Sequence, residues 1–348
     1  MIDEVEATEP IALPWQALPP WQLATARSLL AQRAQWPHAV LIHGPRGIGK
    51  HALALALAQA LLCEAPQGDG LACGACPGCR YAEAGQHPDL MRLELVEVDE
   101  DEGGLKNVDT ISIKRVRALI DFVELTSHRQ RAKVAVIAPA ERMNNAAANA
   151  LLKTLEEPPA GTYLILVADL IGRLPATILS RCRRVRVAAP PAEEASAWLA
   201  AQGVSEPQLA LAQAGGAPLT ALELAGDDWQ AERKLWLAAL GTPERLSVLS
   251  LAARIDAGAR DARRARLGRA IDWLLGWVAD LARVAAGGDA RHNPDFARQI
   301  AALGGKVAVP RAFRYHDSLL RQRALLSHPL QPRLVAEALL IDYRALFR

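Results

Sequence analysis

The sequence predicts an α/β domain with a doubly wound parallel sheet, followed by two smaller domains made of helices. Three observations support this prediction. A glycine-rich stretch, GPRGIGKH at Gly44 to His51, stands between a strand-like and a helix-like run. Further apolar runs of strand length alternate with helical patterns up to Ala189. Beyond Pro190-Pro191 the sequence shows no convincing strand pattern.

The strands of the first domain are expected where apolar residues run almost without interruption, as in buried parallel strands. These runs are Ala39 to His43, Lys133 to Ala138, Tyr163 to Ala168 and Arg184 to Val187. An Ala/Leu-rich helix is expected over Ala52 to Leu62. A second helix is expected over Glu141 to Glu157, ending at Pro158-Pro159 because a helix rarely continues into proline.

Breaks in these patterns divide the chain into three predicted domains. The first is the α/β domain of residues 1–189, the second a small helical domain of residues 190–228, and the third a helical domain of residues 229–348. One apolar face of the last helix is expected to lie in the core or to contact another subunit. That face consists of Leu334, Ala338, Ile341 and Ala345.

Composition and charge limit the class of protein. With 348 residues, 51% of them hydrophobic, the chain can bury a large core. Its longest uncharged apolar stretch, Ala52 to Cys63, is shorter than the ~20 residues that cross a bilayer, and the acidic start MIDEVEATEP lacks a secretory signal. We therefore expect a cytoplasmic protein without a membrane span.

The net charge of +2 conceals a basic C-terminal part. From Arg254 to Arg348 the chain has 17 Arg and Lys residues against 9 Asp and Glu residues. Such helices can bind nucleic acid, but Arg-rich helices with apolar stripes more often pack on neighbouring subunits. The charge count alone does not decide between these alternatives.

The glycine-rich stretch has most residues of a phosphate-binding loop. Gly44, Gly47 and Gly49 would let backbone N–H groups point at phosphates, and Lys50 could reach the β and γ oxygens. An ATPase has Ser or Thr at the next position, to bind magnesium. His51 cannot replace that hydroxyl, because magnesium prefers oxygen ligands.

A second requirement of ATP hydrolysis is also missing. ATPases place acidic residues at the end of a neighbouring strand, to hold the metal and activate water. Here Ala138 and Pro139 occupy those positions. We therefore expect no hydrolysis, while two alternatives stay open for the loop: ATP binding through the glycines and Lys50, or a purely structural turn.

Four of the five cysteines lie close together, in CEAPQGDGLACGACPGC. They are Cys63, Cys73, Cys76 and Cys79, with the spacing C-x9-C-x2-C-x2-C. Because disulfides are disfavoured in the cytosol, we expect one tetrahedral zinc, with an iron–sulfur cluster as the alternative. Four thiolates leave no open position, so the metal would be structural. Cys182 stands apart and is not expected to be a ligand.

Five motifs occur in an order that resembles one family. They are the phosphate loop, the cysteine knuckle at residues 63–79, HPDL at His87 to Leu90, NALLKTLEEPP at Asn149 to Pro159 and LPATILSRC at Leu174 to Cys182. Together they resemble the AAA+ clamp-loader subunits of bacterial DNA polymerase III, a DNA-directed DNA polymerase. The resemblance covers most of residues 20–190, whereas the C-terminal half is similar only in its helical character.

Within that family the sequence resembles the delta prime branch rather than the ATP-hydrolysing branch. ATPase members carry a hydroxyl after the loop lysine, acids after the third strand, a Thr-type sensor after the fourth and a sensor Arg in the lid. The corresponding positions hold His51, Ala138 with Pro139, Ala168, and Leu219. The resemblance therefore implies a subunit without ATPase activity of its own.

The resemblance also implies a function for the triplet Ser180-Arg181-Cys182. In such assemblies its arginine reaches the ATP of the adjacent protomer, so Arg181 is expected to be an arginine finger acting in trans. A guanidinium there neutralises charge on the γ-phosphate, an effect of about 10³–10⁵ in rate. The second domain is implied to be a lid, and the third a helical collar that holds a hetero-oligomer together.

The function implied is that of a stator, a rigid subunit of a complex that loads a sliding clamp on primed DNA. Its partners would be the ATPase subunits, the clamp-opening subunit and, through the assembly, the clamp and DNA phosphates. Two alternatives stay open: an ATP-hydrolysing motor subunit, and a zinc-dependent nucleic-acid-binding protein. ATP turnover by the isolated chain would favour the first, and DNA binding that is lost when Cys76 is replaced would favour the second.

Overall fold

The computed structural model describes residues 15–32, 36–98, 105–129, 131–256, 258–326 and 331–348. The acidic start of the sequence therefore lies outside the described residues. The chain divides into two compact units, Met1–Pro190 and Pro191–Arg348, so that the division falls between two prolines. The further boundary at residue 228 stays a prediction.

The first unit is built on a parallel sheet. Its described strands are β1 (Ala39–His43), β2 (Leu90–Leu93), β3 (Val96–Val98), β4 (Leu105–Asn107), β5 (Lys133–Ile137), β6 (Thr162–Ala168) and β7 (Arg183–Arg186). The main sheet has the order β2-β5-β6-β1-β7, with every neighbouring pair parallel. The remaining two strands, β3 and β4, form an antiparallel pair.

The helices of this unit connect the parallel strands. They are α1 (Leu23–Leu30), α2 (Lys50–Leu62), α3 (Pro77–Glu83), α4 (Ile113–Glu124), α5 (Asn145–Glu156) and α6 (Ala176–Leu179). Since α2 is buried along almost its whole length, its Ala/Leu-rich sequence packs on all sides. The predicted doubly wound α/β architecture is confirmed.

Some details of this unit differ from the sequence expectations. The helix expected from Glu141 begins only at Asn145, because the side chain of Asn144 accepts the backbone N–H of Ala147 and caps the helix there. The short strand β2 was not predicted, since its sequence LMRL contains Arg92 and is only partly buried. At the other edge of the sheet, β7 exposes charged arginines, which discourages pairing with further strands.

The described residues of the second unit contain helices and no strand. The helices are α7 (Ala192–Ala201), α8 (Pro207–Gln213), α9 (Pro218–Leu224), α10 (Asp227–Leu240), α11 (Val248–Ala253), α12 (Arg260–Ala285), α13 (Ala297–Gly304), α14 (Val309–Ala324) and α15 (Pro332–Ala345). A small apolar cluster joins the first three of these helices, and a larger one joins the later helices. The prediction that this part of the chain is helical is confirmed.

The larger cluster of the second unit is organised around two buried aromatic residues. Trp277 donates its indole N–H to the hydroxyl of Tyr343 at 2.8 Å, and that hydroxyl donates to the carbonyl oxygen of Leu240 at 2.7 Å. Each polar group is thus satisfied inside an apolar core. This contact decides which side of α15 faces inward.

The apolar face of α15 picked out in the sequence is not the core face. Leu334 and Ile341 are 61% and 58% exposed. The buried side carries Ala336, Leu339, Leu340 and Tyr343 instead. The helix has apolar residues on more than one side, and the aromatic anchor Tyr343 decides which side is buried. Of the two expectations for the face, only subunit contact remains.

Candidate functional site

The loop between β1 and α2 depends on its glycines for its own packing. Gly47 and Gly49 have φ angles of 75° and 87°, in the left-handed region that favours glycine. A Cβ atom on Gly44 would lie 2.1 Å from the carbonyl oxygen of Val187, and one on Gly49 would lie 2.7 Å from Cγ of Pro19. The fold of this unit therefore requires these glycines even without a bound phosphate.

The segment that precedes α1 packs against the same loop. Trp21 and Gln22 each donate a side-chain N–H to the carbonyl oxygen of Ile48, at 2.9 and 2.8 Å. Both residues belong to the 3-10 turn Pro20–Gln22. With Pro19 against Gly49, these contacts fix the loop backbone from one side.

The lysine of the loop is bound within the chain. Nζ of Lys50 lies 2.6 Å from Oδ1 of Asp169 and donates to the carbonyl oxygen of Pro45. The lysine side chain is 3% exposed, and that of Asp169 is 33% exposed. Asp169 directly follows β6. A carboxylate of the same unit thus neutralises the ammonium that a bound phosphate would use.

His51, at the position of the magnesium-binding hydroxyl, faces a different carboxylate. Its Nε2 lies 3.1 Å from Oε1 of Glu94, which also accepts the Nε–H of Arg92 at 2.7 Å. Burial alone would raise the pKa of Glu94, but the neighbouring side chains of His51 and Arg92 hold that pKa below its ordinary value. Glu94 is therefore paired with two basic side chains.

The end of β5 supplies no carboxylate at the positions where an ATPase has them. Ala138 and Pro139 follow the strand, joined by a cis peptide bond. Glu141 comes next after Ala140, but its Oε1 accepts the backbone N–H groups of Asp169 and Leu170 at 2.9 and 3.1 Å. Glu141 thereby orders the loop that carries the partner of Lys50.

Several basic side chains lie near the residue that precedes the loop. Burial, followed by the charges of Arg184, Arg186 and Lys50, lowers the pKa of His43, the last residue of β1. Neutral His43 therefore adds no further positive charge to this edge of the sheet at neutral pH.

The four clustered cysteines come together in space. Their Sγ atoms all lie within 4.8 Å of one another, with 3.9 Å between Cys63 and Cys76 and between Cys73 and Cys79. A tetrahedral zinc with Zn–S bonds of about 2.3 Å would place its sulfurs about 3.8 Å apart. An iron–sulfur cluster, in which the four thiolates are distributed over two or four irons, needs a wider arrangement. The geometry fits a single ion.

Backbone N–H groups surround these sulfurs. Cys76 Sγ accepts from the N–H groups of Glu64 and Cys79, each at 3.4 Å. Burial opposes ionisation of Cys76, but these donors outweigh it and lower its pKa to about 6. Burial raises the pKa of Cys63 and of Cys79. A bound cation would be needed to keep all four side chains as thiolates.

The HPDL motif orders a neighbouring turn. Asp89, fully buried, accepts from the hydroxyl of Ser127 at 3.1 Å and from the backbone N–H groups of His128 and Arg129 at 2.8 and 3.0 Å. A buried carboxylate is satisfied here by three donors. The turn that it holds carries Arg129 towards the cysteine knuckle.

Two arginines from this turn close the knuckle at the end of α2. Arg129 donates its Nε–H to Oε1 of Glu64 at 2.9 Å. Arg131 donates to the carbonyl oxygens of Cys63 and Glu64 at 2.7 and 2.8 Å. These carbonyls follow the last turn of α2, where positive charge is favourable. The knuckle is therefore part of the frame of the first unit.

Arg181 lies between α6 and β7, at the amino ends of the strands, whereas the phosphate loop lies at their carboxyl ends. β7 runs parallel to β1, with Arg183 beside Val40 and Arg186 beside His43. Arg181 precedes the amino end of β7, while the loop follows the carboxyl end of β1. About 10 Å of strand separates the two ends. Arg181 is thus not placed to act at the loop of its own chain.

The guanidinium of Arg181 is bound to Glu156, the last residue of α5. Its Nε–H donates to Oε1 at 2.6 Å, and Nη2 contacts the same oxygen. Nη1 donates to the carbonyl oxygen of Thr177 at 3.0 Å and to the hydroxyl of Ser180 at 3.1 Å. The motifs NALLKTLEEPP and LPATILSRC therefore meet at an ion pair on the surface.

The residues singled out in the sequence occupy three separate places. Lys50 begins α2 and Cys63 follows its end, and a helix of 13 residues spans about 20 Å. Arg181 lies at the amino ends of the strands, away from both. Cys182 is buried in the core, where burial raises its pKa to about 11. Among the described helices, none is long and apolar enough to cross a membrane.

The acidic partners of these basic residues were not predicted from the sequence; they are Asp169, Glu94 and Glu156. A signal was present for Asp169, which is the first polar residue after the apolar run YLILVA. Glu156 lies within one of the quoted motifs and Glu94 near another. Nothing in the sequence pairs them with Arg181 and His51, because these partners lie far away along the chain.

The known proteins that are similar to this chain are described as subunits of DNA polymerase III. The family model described as DNA polymerase III, delta subunit, matches residues 24–191. The DNA polymerase III subunit delta' of Pseudomonas aeruginosa is 36% identical over 335 residues, covering 94% of this chain and 97% of that protein. The Escherichia coli subunit delta' is 39% identical over 222 residues, which are 62% and 64% of the two chains. The Escherichia coli subunit tau is 34% identical over 157 residues, which are 45% of this chain and 22% of that protein.

Proposed function

Because the chain belongs to the delta prime family of DNA polymerase III subunits, we propose that it is the non-hydrolysing stator of a clamp loader. In this function Arg181 acts in trans on ATP held by a neighbouring subunit, within an assembly that places a sliding clamp on primed DNA. The observation that carries the proposal is the position of Arg181. Its side chain is partly exposed and lies at the ends of the strands opposite to its own phosphate loop.

The chain's own loop supports the first half of this proposal. Lys50 is neutralised by Asp169, His51 stands where magnesium needs a hydroxyl, and Ala138 with Pro139 replaces the acidic pair. Hydrolysis needs a bound metal and an activated water. This loop offers neither ligand. Its glycines serve the packing described above, so their retention does not require nucleotide binding.

The knuckle is proposed to hold one structural zinc through Cys63, Cys73, Cys76 and Cys79. The spacing of the sulfurs and the N–H groups around them support this assignment. A bound zinc would supply a cross-link between the end of α2 and the start of α3. With four thiolates as ligands it would have no open position for a substrate.

The second unit is proposed to carry the contacts with the ATPase and clamp-opening subunits. The face of α15 around Leu334 and Ile341 supports this, since it exposes large apolar side chains on a charged helix. Contact with primed DNA would be made through phosphates and would weaken with salt.

The experiment that tests the proposal compares two arginines in a reconstituted clamp loader. Arg181→Ala should reduce ATP turnover at the one site that it serves by about 10³-fold, while other sites continue. Arg183→Ala is the matched control, because Arg183 is an exposed arginine of the same strand edge that donates to Gln32. Unchanged turnover in Arg181→Ala, or hydrolysis by the isolated chain, would count against the stator.

A further inference from the structure

We propose that Glu156 is a positioning residue for Arg181, fixing the guanidinium in the orientation in which it meets the neighbour's phosphate. This inference rests on the proposed function, since it concerns the same arginine. It assigns a purpose to the acidic part of NALLKTLEEPP, which the phosphate loop and the knuckle leave unexplained.

The contacts around Arg181 engage most of its donors. An arginine has five N–H groups. The Nε–H and one N–H of Nη2 point at Oε1 of Glu156, and Nη1 is bound by the carbonyl oxygen of Thr177 and the hydroxyl of Ser180. The second N–H of Nη2 points away from the carboxylate, because the two hydrogens on that nitrogen diverge. A phosphate oxygen of the neighbouring subunit would contact this N–H and the positive charge of the guanidinium.

The backbone that carries Glu156 is well packed. Glu156 ends α5, whose preceding residues Thr154 and Leu155 are buried against the sheet. Glu157 is the C-cap of this helix and precedes two prolines that restrict the backbone. The other two acceptors belong to the short helix α6 and the residue that follows it. All acceptors that hold the arginine therefore belong to the first unit of the same chain.

Fixing the guanidinium in advance should raise the rate rather than the affinity. A free arginine on the surface samples many rotamers, and ordering it during the reaction adds to the barrier. A donor already oriented towards the developing charge avoids that cost. Glu156 is partly exposed, so its effect is expected to be moderate, as for other ion pairs at surfaces.

Three substitutions of Glu156 separate orientation from charge, measured as kcat and KM of the one ATP site that Arg181 serves, in the reconstituted assembly with clamp and primed DNA. Glu156→Ala should lower kcat about fivefold and leave KM within about twofold. Glu156→Gln keeps an acceptor oxygen at the same reach and should retain about half of wild-type kcat or more. Glu156→Asp keeps the charge but shortens the reach, so its kcat should fall towards that of Glu156→Ala.

The matched control is Glu157→Ala, which removes an exposed carboxylate from the adjacent position. It should leave kcat unchanged. The double variant Arg181→Ala/Glu156→Ala should equal Arg181→Ala alone, because Glu156 acts only through the arginine. Equal thermal midpoints of the isolated chains exclude a general loss of folding.

The outcomes separate this inference from the function on which it rests. If Arg181→Ala leaves turnover unchanged, the proposed function fails. If Arg181→Ala lowers turnover but Glu156→Ala behaves like wild type, only the positioning role is overturned. A higher kcat in both Glu156→Ala and Glu156→Gln would also overturn it. The carboxylate of Glu156 would then keep the arginine away from the phosphate instead of orienting it.

Discussion

Lys50 and Asp169 form an ion pair inside the phosphate loop, with 2.6 Å between Nζ and Oδ1. The sequence marks Lys50 as a phosphate ligand, whereas the fold gives it a partner 119 residues away in the same chain. The pair connects the start of α2 to the end of β6. A residue type typical of nucleotide binding thus stabilises the junction of a helix and a strand.

Asp169→Asn should lower the free energy of unfolding by about 1–3 kcal/mol, because it removes the negative charge that balances a buried ammonium and leaves only neutral acceptors. Lys50→Met should cost less, since the carboxylate of Asp169 is 33% exposed and can be hydrated. Urea denaturation of the intact chain, followed by far-ultraviolet circular dichroism, gives both values. Equal stability of wild type and Asp169→Asn would show that the pair does not stabilise the loop.

Gly49→Ala should destabilise the first unit by about 1–3 kcal/mol, because its φ is positive and its Cβ would meet Pro19. Gly172→Ala is the matched control, since a Cβ there meets nothing within 4 Å. Thermal unfolding of both variants without nucleotide makes the comparison. If Gly49→Ala is as stable as the control, the glycine is not retained for packing.

Removal of the metal should destabilise the first unit, because the knuckle would lose the ion that joins its four sulfurs. We expect about one zinc per chain in wild type and in Cys182→Ala, and none in Cys76→Ser. The loss of stability in Cys76→Ser should be on the order of 2 kcal/mol or more. Elemental analysis of the purified chains gives the metal content. A folded wild-type chain without metal, or with iron, would contradict the assignment.

The pH dependence of stability should reveal the pair of His51 and Glu94. Because the pKa of Glu94 is lowered in the folded state, its contribution is present above its unfolded pKa of about 4.3 and is lost as the pH falls through the folded value. Glu94→Gln should therefore be about 1–2 kcal/mol less stable at pH 7, with the difference shrinking below about pH 4.

Urea denaturation of wild type and Glu94→Gln at matched pH values gives this difference. The cysteines titrate in both proteins, so their contribution cancels in the difference. The exposed Glu157→Gln serves as the control, with a difference that should not vary with pH. A constant difference for Glu94→Gln as well would show that the carboxylate gains nothing from His51 and Arg92.

Several features were predictable from the sequence because they depend on neighbouring residues. The strand, loop and helix around Lys50 follow from an apolar run, glycines and an Ala/Leu-rich segment. The cysteine spacing predicted a cluster, since short loops bring such thiols together. Strand β2 was missed, because four residues that include Arg92 give no clear periodicity. The sequence did not decide which face of α15 lies in the core, since both sides of that helix carry apolar residues.

The sequence by itself determined the order of the motifs, the missing hydroxyl and acids of the phosphate loop, and the cysteine cluster. The tertiary structure alone decided that Lys50 binds Asp169, that His51 faces Glu94, and that Arg181 is held by Glu156. The physical reason is the range of the interactions. Backbone preferences and tight turns act between neighbours in the chain, whereas ion pairs join whichever side chains the order of the strands brings together.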